Sequence, residues 1–209
     1  MFNFTRKISA SRDIYNEIAH IHASSINQGF LSTLGENFLG VLYESIDLSS
    51  DGILFIKQEN GKVIGFVAGA QNMRSIYFKM IVRLPRVLWA LLPIIFSPLK
   101  IKFLFETIIF GLKNKPLKNS PSAELLSIAV LEGARGCGVA QELYQKLADF
   151  FFQMGEEAFC IVVGESLIAA NHFYEKMGAI PIAKIKVHGG KSSTLYRQKL
   201  PVLNSKANP

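Results

Sequence analysis

Apolar positions in the first 70 residues follow a helical period and then change to the alternation of strands. Apolar residues three and four apart predict amphipathic helices, and short β-prone runs predict strands. The predicted elements are a strand at 4–9, a helix from Ser9 or Ser11 to about Ser25, a loop at 26–33, a helix after Gly35, and strands at 53–59 and 62–68. The last two flank Asn60-Gly61, a strong hairpin signal that argues against a purely parallel sheet.

The middle of the chain is predicted to be helical, and the last third alternates strands with helices. Residues 73–112 are heavily apolar with breaks at Pro85, Pro93 and Pro98, and 113–122 is predicted to be a loop. The later elements are strands at 124–130, 159–163, 182–187 and 193–199, with helices at 139–154 and 166–177. The pattern predicts one mixed α/β domain over residues 1–209 that carries a helical insertion at about 71–121.

Composition narrows the class of protein. The chain has 209 residues, of which 49% are hydrophobic and 19% charged, so it is long and apolar enough to form a core. It has two cysteines, Cys137 and Cys160, too few for a disulfide framework. The N-terminus lacks the apolar core of a signal peptide, and 87–99 is too short to span a bilayer. We therefore expect a cytoplasmic protein.

The positive charge is concentrated in the predicted insertion. Residues 71–121 hold nine basic residues and one acidic residue, whereas the rest of the chain has fourteen basic and fifteen acidic residues. Three interpretations of 73–112 stay open: contact with the inner face of an anionic membrane, a lid over an anionic acceptor such as a sugar nucleotide, or a self-packed hairpin or homodimer interface. Nucleic-acid binding is not expected, because no reader motif accompanies the charge.

A glycine-bearing loop between a strand and a helix is the most informative motif. Glycines let backbone N–H groups converge, and a helix N-terminus favours anions. Arg135 adds a positive charge suited to phosphate oxygens. The loop lacks the Gly-Lys-Ser/Thr of a Walker A motif, and Gln141 occupies the third position of a dinucleotide fingerprint. Two alternatives stay open. One is a structural turn without a ligand, and the other is a Rossmann-type nucleotide site in which Glu165, at the end of the following strand, would bind a ribose.

Two motifs resemble those of GNAT superfamily N-acetyltransferases. Arg135-Gly-Cys-Gly-Val-Ala140 matches the signature R/Q-x-x-G-x-G/A, and Asn171-His-Phe-Tyr-Glu-Lys-Met-Gly178 resembles the family's second motif. Their order and spacing also match. The resemblance implies a mostly antiparallel twisted sheet flanked by helices, with two neighbouring strands splayed apart to admit acetyl-CoA.

The resemblance also implies which residues bind acetyl-CoA. Backbone groups of Ile128 and Val130 would pair with the pantetheine amides, and Asn171 would stand near the position of a family asparagine that is Leu167 here. The pyrophosphate would be held by the N–H groups of Arg135, Gly136, Cys137, Gly138, Val139 and Ala140. Cys137 is interpreted as a backbone donor and not as a nucleophile.

Acetyl transfer to an amine needs a base and an acid. Tyr174 stands at the position of the family's general acid, with a packed aromatic ring as the alternative. Glu124 is the first candidate for the base, with a solvated edge carboxylate as the alternative. Ser127 and Glu165 are candidates for positioning water, and His20 and His22 are interpreted as surface or packing residues. No Cys/His spacing indicates a metal site.

The expected function is transfer of an acetyl group from acetyl-CoA to a primary amine of a small molecule, such as an amino sugar or sugar nucleotide, by direct attack. Residues 26–35 would contact the acceptor, with Asn27, Gln28 and Phe30 as candidates. The alternative is a catalytically inactive acyl-CoA-binding sensor or a membrane-recruited adaptor, because the base is uncertain. Fold-level resemblance does not fix the substrate.

Overall fold

The structure is a computed structural model that describes residues 3–6, 12–26, 31–92, 97–99, 101–102, 121–187 and 191–202. The strands are β1 Asn3–Arg6, β2 Gly52–Glu59, β3 Lys62–Ala70, β4 Glu124–Val130, β5 Ala158–Gly164, β6 Ile180–Val187 and β7 Lys191–Lys199. The helices are α1 Arg12–Ser25, α2 Glu36–Asp47, α3 Met73–Val82, α4 Leu84–Leu91, α5 Val139–Gln153 and α6 Ile168–Lys176. Short 3₁₀ turns span Leu31–Leu34 and Glu132–Ala134.

The described strands form one sheet in the order β1-β2-β3-β4-β5-β7-β6. Every neighbouring pair is antiparallel except β4 and β5, so the predicted mixed, mostly antiparallel fold is confirmed. The predicted hairpin joins β2 to β3, and its turn residues Asn60 and Gly61 have φ of 51° and 79°. Asparagine and glycine tolerate this left-handed region, which is why the sequence signal was reliable.

The pairing of β4 with β5 stops after two residues. Glu124 lies opposite Cys160 and Leu125 opposite Ile161, and no later residue of β4 pairs with β5. On its other edge β4 stays paired with β3 as far as Val130, but the register shifts so that Leu126 is an extra residue. Such a β-bulge bends a strand and changes the direction of its edge. The bulge therefore lies where β4 and β5 separate, as the splayed strand pair requires.

Helices cover both faces of the sheet, and each face has its own apolar core. On one face α1 and α2 bury Ile18, Leu39 and Tyr43 against β2 and β3. On the other face α5 buries Leu143 and Phe151 against β4 and β5. Hydrogen bonds tie helices to their neighbours, since Tyr15 Oη donates to Asp47 Oδ2 at 2.8 Å and Tyr144 Oη donates to Gln198 Oε1 at 2.8 Å.

Between β3 and β4 the described residues include α3 and α4. The helical pattern was predicted to break at Pro85, but the break lies at Arg83, and Pro85 stands in the first turn of α4. Proline is favoured there because the first N–H groups of a helix have no intrahelical partner. The expected break at Pro93 and residues 113–120 of the expected loop lie outside the described residues. Pro98 stands in a short helical stretch, where the Ile101 N–H donates to the Ser97 carbonyl at 3.1 Å.

Candidate active site

The gap between β4 and β5 exposes one edge of β4 inside the sheet. The Leu131 N–H donates to the Ile64 carbonyl at 2.9 Å, so the backbone of Leu131 faces β3. Because consecutive residues of a strand direct their N–H groups to opposite edges, those of Ile128 and Val130 face the gap. The gap therefore exposes the backbone of Ile128 and the N–H of Val130, which an extended ligand could reach.

The loop after β4 turns on two glycines in the left-handed region. Gly136 and Gly138 have φ of 80° and 81°, and a Cβ at either position would meet no atom closer than 3.9 Å. Glycine is required at both positions because of the left-handed backbone conformation and not because a side chain would clash. The space above the loop is open. Cys137 between them is exposed. Such a cradle fits an anionic group at the N-terminus of α5.

Arg135 forms hydrogen bonds within the loop through both its backbone and its side chain. Its N–H donates to the Glu132 carbonyl at 3.1 Å, and its Nε donates to the Val130 carbonyl at 3.2 Å. Ser25 Oγ donates to that same carbonyl at 3.4 Å. The N–H of Arg135 is thus already engaged within the loop, so the convergent amides begin at Gly136.

The start of α5 is anchored below the loop. Val139 is buried, whereas Ala140 is partly exposed. Lys57 of β2 is 2% exposed and its Nζ donates to Glu142 Oε2 at 2.5 Å. A carboxylate in the first turn suits the positive end of a helix, and the buried lysine offsets its charge. The ion pair fixes the position of the helix end that carries the loop.

Asn171 holds the turn that precedes α6. Its Nδ2 donates to the carbonyls of Gly164 at 3.0 Å and Leu167 at 2.9 Å, and its Oδ1 accepts from Tyr196 Oη at 2.9 Å. Both amide hydrogens are therefore used within the chain. A contact with the cofactor would have to use the remaining lone pair of Oδ1.

Tyr174 lies in an aromatic cluster on the face that α5 covers. It is 6% exposed, and its ring centroid lies 5.3 Å from that of Phe173, 6.1 Å from that of Tyr144 and 6.3 Å from that of Tyr196. Burial raises the pKa of the Tyr174 hydroxyl above its ordinary value. The hydroxyl therefore keeps its proton at neutral pH, as a proton donor must.

Glu124 begins β4 on the opposite face. Leu125 packs into the core beneath α5, so the side chain before it points to the face that carries α1, α2 and α3. Burial raises the pKa of the Glu124 carboxyl from 4.5 to about 7. Tyr77 of α3 is close enough for the Glu124 charge to add to burial in raising the Tyr77 pKa to about 12. No sequence signal had indicated Tyr77.

A hydrogen-bond network on this face was missed by the sequence analysis. Tyr43 Oη lies 2.8 Å from Ser127 Oγ and 2.5 Å from His22 Nδ1. His22 is 2% exposed and stacks on Phe66 with ring centroids 6.5 Å apart. Burial lowers the pKa of His22 to about 4, so the imidazole is neutral at physiological pH. The network holds Ser127 in a fixed orientation near the bulge.

The other sequence candidates lie elsewhere. His20 is exposed and its Nδ1 lies 3.0 Å from Glu36 Oε1. Glu165 pairs with Lys184 at 2.9 Å, and that hydrogen bond lowers the pKa of its carboxyl. The candidate acceptor residues Asn27, Gln28 and Phe30 lie outside the described residues.

The family follows from comparison with known proteins. The profile of the acetyltransferase (GNAT) family matches residues 16–179. The chain therefore belongs to the GNAT acetyltransferase family, and it is an acyltransferase that uses acetyl-CoA as co-substrate. A search of curated proteins returned no significant match.

Solved structures share the fold at low sequence identity. A GNAT-family protein from Desulfovibrio desulfuricans has a TM-score of 0.61 at 12% identity, over 95% of this chain and 99% of that one. The ribosomal-protein-S18-alanine N-acetyltransferase of Escherichia coli has a TM-score of 0.57 at 13% identity, over all of both chains. Arabidopsis thaliana NAA60 in complex with acetyl-CoA has a TM-score of 0.59 at 12% identity, over 96% of this chain and 99% of that one. These likenesses show the fold alone.

The raised pKa of Glu124 predicts a pH-dependent cost to folding. The folded chain binds the Glu124 proton more tightly than the unfolded chain does. The protonated carboxyl therefore contributes its full stability to the folded chain below about pH 4.5, and this contribution is lost as pH rises through about 7. Glu124→Gln should therefore be more stable than wild type above neutral pH, by roughly 1–3 kcal/mol at 1.36 kcal/mol per pKa unit. Urea unfolding at a series of pH values measures the difference.

Glu59→Gln, at the exposed end of β2, controls for the loss of one negative charge. A stability difference for Glu124→Gln that stays constant between pH 4.5 and 8 would show that the Glu124 carboxyl titrates normally.

Proposed function

We propose that this acetyltransferase transfers the acetyl group of acetyl-CoA to a primary amine of a small molecule by direct attack. The observation that carries the proposal is the gap between β4 and β5, which leads from a bulged strand into a glycine loop at a helix N-terminus. Extended amides need strand-like partners, and a pyrophosphate needs convergent N–H groups and a positive helix end. One continuous path through this fold offers both.

In the proposed binding mode the chain contributes mostly backbone groups. Ile128 pairs with the pantetheine amides from the open edge of β4. Val130 contributes its N–H, because its carbonyl already accepts from Arg135 and Ser25. The N–H groups from Gly136 to Ala140 bind the pyrophosphate, and the exposed side of Arg135 adds positive charge nearby. When bound, acetyl-CoA supplies an acyl group activated as a thioester.

Two side chains on opposite faces of the sheet would supply the proton transfers. Glu124, with a pKa of about 7, takes a proton from the acceptor amine as its nitrogen forms a bond to the acetyl carbon. Tyr174 gives its proton to the sulfur as the carbon–sulfur bond breaks. A base with a pKa near neutrality is half ionised under physiological conditions. The phenol of Tyr174 stays protonated at this pH, so its proton is available to the thiolate that leaves.

A polar acceptor such as an amino sugar or sugar nucleotide suits the face that carries Glu124. Hydroxyl groups of Tyr77 and Ser127 lie on this face, and Tyr43 and His22 hold the serine in place. Hydroxyl groups act as both donors and acceptors, which matches the hydroxyls of a sugar. The nine basic residues of 71–121 would favour a phosphorylated acceptor.

Gly138→Asp should abolish the proposed pyrophosphate site. The substitution places a carboxylate where a diphosphate is expected and forces a side chain into a backbone conformation with φ of 81°. We expect calorimetric titration with acetyl-CoA to show binding by wild type and at least about tenfold weaker binding by the variant.

Gly155→Asp is the matched control, because Gly155 has φ of 83°, has no atom near a Cβ, and follows the other end of α5. The Gly155→Asp variant introduces the same negative charge and the same backbone strain, but at a position outside the loop. Equal binding by Gly138→Asp and Gly155→Asp would remove the loop from the site. Absence of binding by the folded wild type would overturn the proposed function.

Tyr174→Phe and Glu124→Gln should reduce turnover in different ways. We expect Tyr174→Phe to lower kcat by about 10²–10³, because it removes the acid and keeps the ring. Wild-type kcat/KM should rise with pH through about 7, and Glu124→Gln should lose that dependence together with most activity. Release of the CoA thiol with a panel of amino sugars and other primary amines measures both.

Both variants should bind acetyl-CoA as wild type does, which separates lost chemistry from lost folding. Tyr144→Phe controls for removal of a buried hydroxyl in the same aromatic cluster. Acetyl-CoA binding without turnover on any amine would favour a catalytically inactive acyl-CoA sensor.

A further inference from the structure

The outer side of α3 and α4 carries half of the large apolar side chains that are exposed among the described residues. Trp89 is 73% exposed and Phe78 63% exposed. The whole set, called here the α3–α4 face, is Phe78, Ile81, Val82, Leu84, Leu88, Trp89 and Leu92, all at least 43% exposed. Monomeric proteins rarely leave such a contiguous apolar patch without a partner. Among the described residues, no helix is both long enough and apolar enough to span a bilayer.

The exposure is not caused by detachment of the two helices from the fold. Ile76 of α3 is fully buried, and Val87 and Ala90 of α4 are 8% and 4% exposed in the core beneath them. Arg83 Nε lies 3.4 Å and Arg86 Nη1 lies 2.7 Å from the carboxylate of Glu44 on α2, which is only 15% exposed. The corner between α3 and α4 is therefore fixed, with its apolar side turned outward.

The charge around this face is positive. The sequences of α3 and α4 contain Arg74, Lys79, Arg83 and Arg86 and no acidic residue. Glu44 neutralises one charge of the two arginines that share it, so the helices with Glu44 keep a net charge of +3. Residues 71–121 as a whole carry nine basic residues against Glu106. An apolar surface with a basic border matches the anionic surface of a lipid bilayer.

We propose that the α3–α4 face docks the enzyme on an anionic membrane surface. Exposed tryptophan prefers the headgroup level of a bilayer, and the bulky aliphatic residues around it fit the boundary with the acyl chains. A second copy of this chain fits less well, because a two-fold interface would place one basic segment against another. The inference does not depend on the acceptor or on the catalytic residues.

Trp89 is the single tryptophan of the chain, so its fluorescence reports from the centre of the proposed surface. The full-length protein is mixed with vesicles of phosphatidylcholine that contain about one third phosphatidylglycerol. We expect the emission to shift to shorter wavelength with these vesicles, and the protein to sediment with them. Vesicles of phosphatidylcholine alone should cause little change, and high salt should weaken the binding.

Two pairs of variants, each with a matched control, test the apolar and basic parts separately. Phe78→Ser with Leu88→Ser should reduce sedimentation with anionic vesicles about tenfold or more, because two inserted side chains are lost. Phe152→Ser with Ile168→Ser, 52% and 67% exposed on other helices, should not. Arg74→Gln with Lys79→Gln should reduce binding about tenfold at low salt, whereas Lys176→Gln with Lys186→Gln should leave it nearly unchanged.

Each remaining outcome overturns the proposal. Emission at short wavelength in the free protein, with slow quenching by iodide, would mean that another part of the chain covers Trp89. A shift to short wavelength that follows protein concentration without lipid, together with a doubled mass in light scattering, would assign the face to a homodimer. Absence of a vesicle-dependent shift in a folded protein that binds acetyl-CoA would exclude membrane docking.

Discussion

The structure depends on one strand that is hydrogen-bonded along one edge and open along the other in the middle of a sheet. Buried N–H and C=O groups need partners, and an interior strand normally finds them on both sides. Here the bulge at Leu126 separates β4 from β5 after two paired residues, and the backbone of Ile128 and Val130 faces the gap. A GNAT acetyltransferase can use this edge to bind its extended co-substrate.

The rest of the site is arranged around that gap. The loop with Gly136 and Gly138 continues β4 into the positive end of α5, and the ion pair between buried Lys57 and exposed Glu142 fixes that helix end. Glu124 lies on one face of the sheet and Tyr174 on the other. Burial on each face raises the pKa of the group there, which leaves a carboxylate that titrates near neutrality and a phenol that stays protonated. In the proposed function, binding and chemistry thus both depend on one local departure from regular pairing.

Short-range features of the fold were predictable because neighbouring residues determine them. Asn60-Gly61 specifies a hairpin by backbone conformation, and the glycines of the loop specify a turn at a helix start. The network of His22, Tyr43 and Ser127 was not predictable, because it joins side chains up to 105 positions apart. Tyr77 beside Glu124 is a similar case. The helix break at Arg83 also escaped prediction, because Glu44 on another helix orders that corner.

Amide hydrogen exchange measured residue by residue by NMR, with and without acetyl-CoA, tests the central claim most directly. The amides of Ser127 and Ala129 face β3 and should exchange slowly in both states, which provides an internal reference. Those of Ile128 and Val130 should exchange faster in the free protein and slow by about tenfold or more when acetyl-CoA is bound. Exchange at Ile128 and Val130 that is unchanged by saturating acetyl-CoA would contradict the account, because the open edge of β4 would then not be the binding surface.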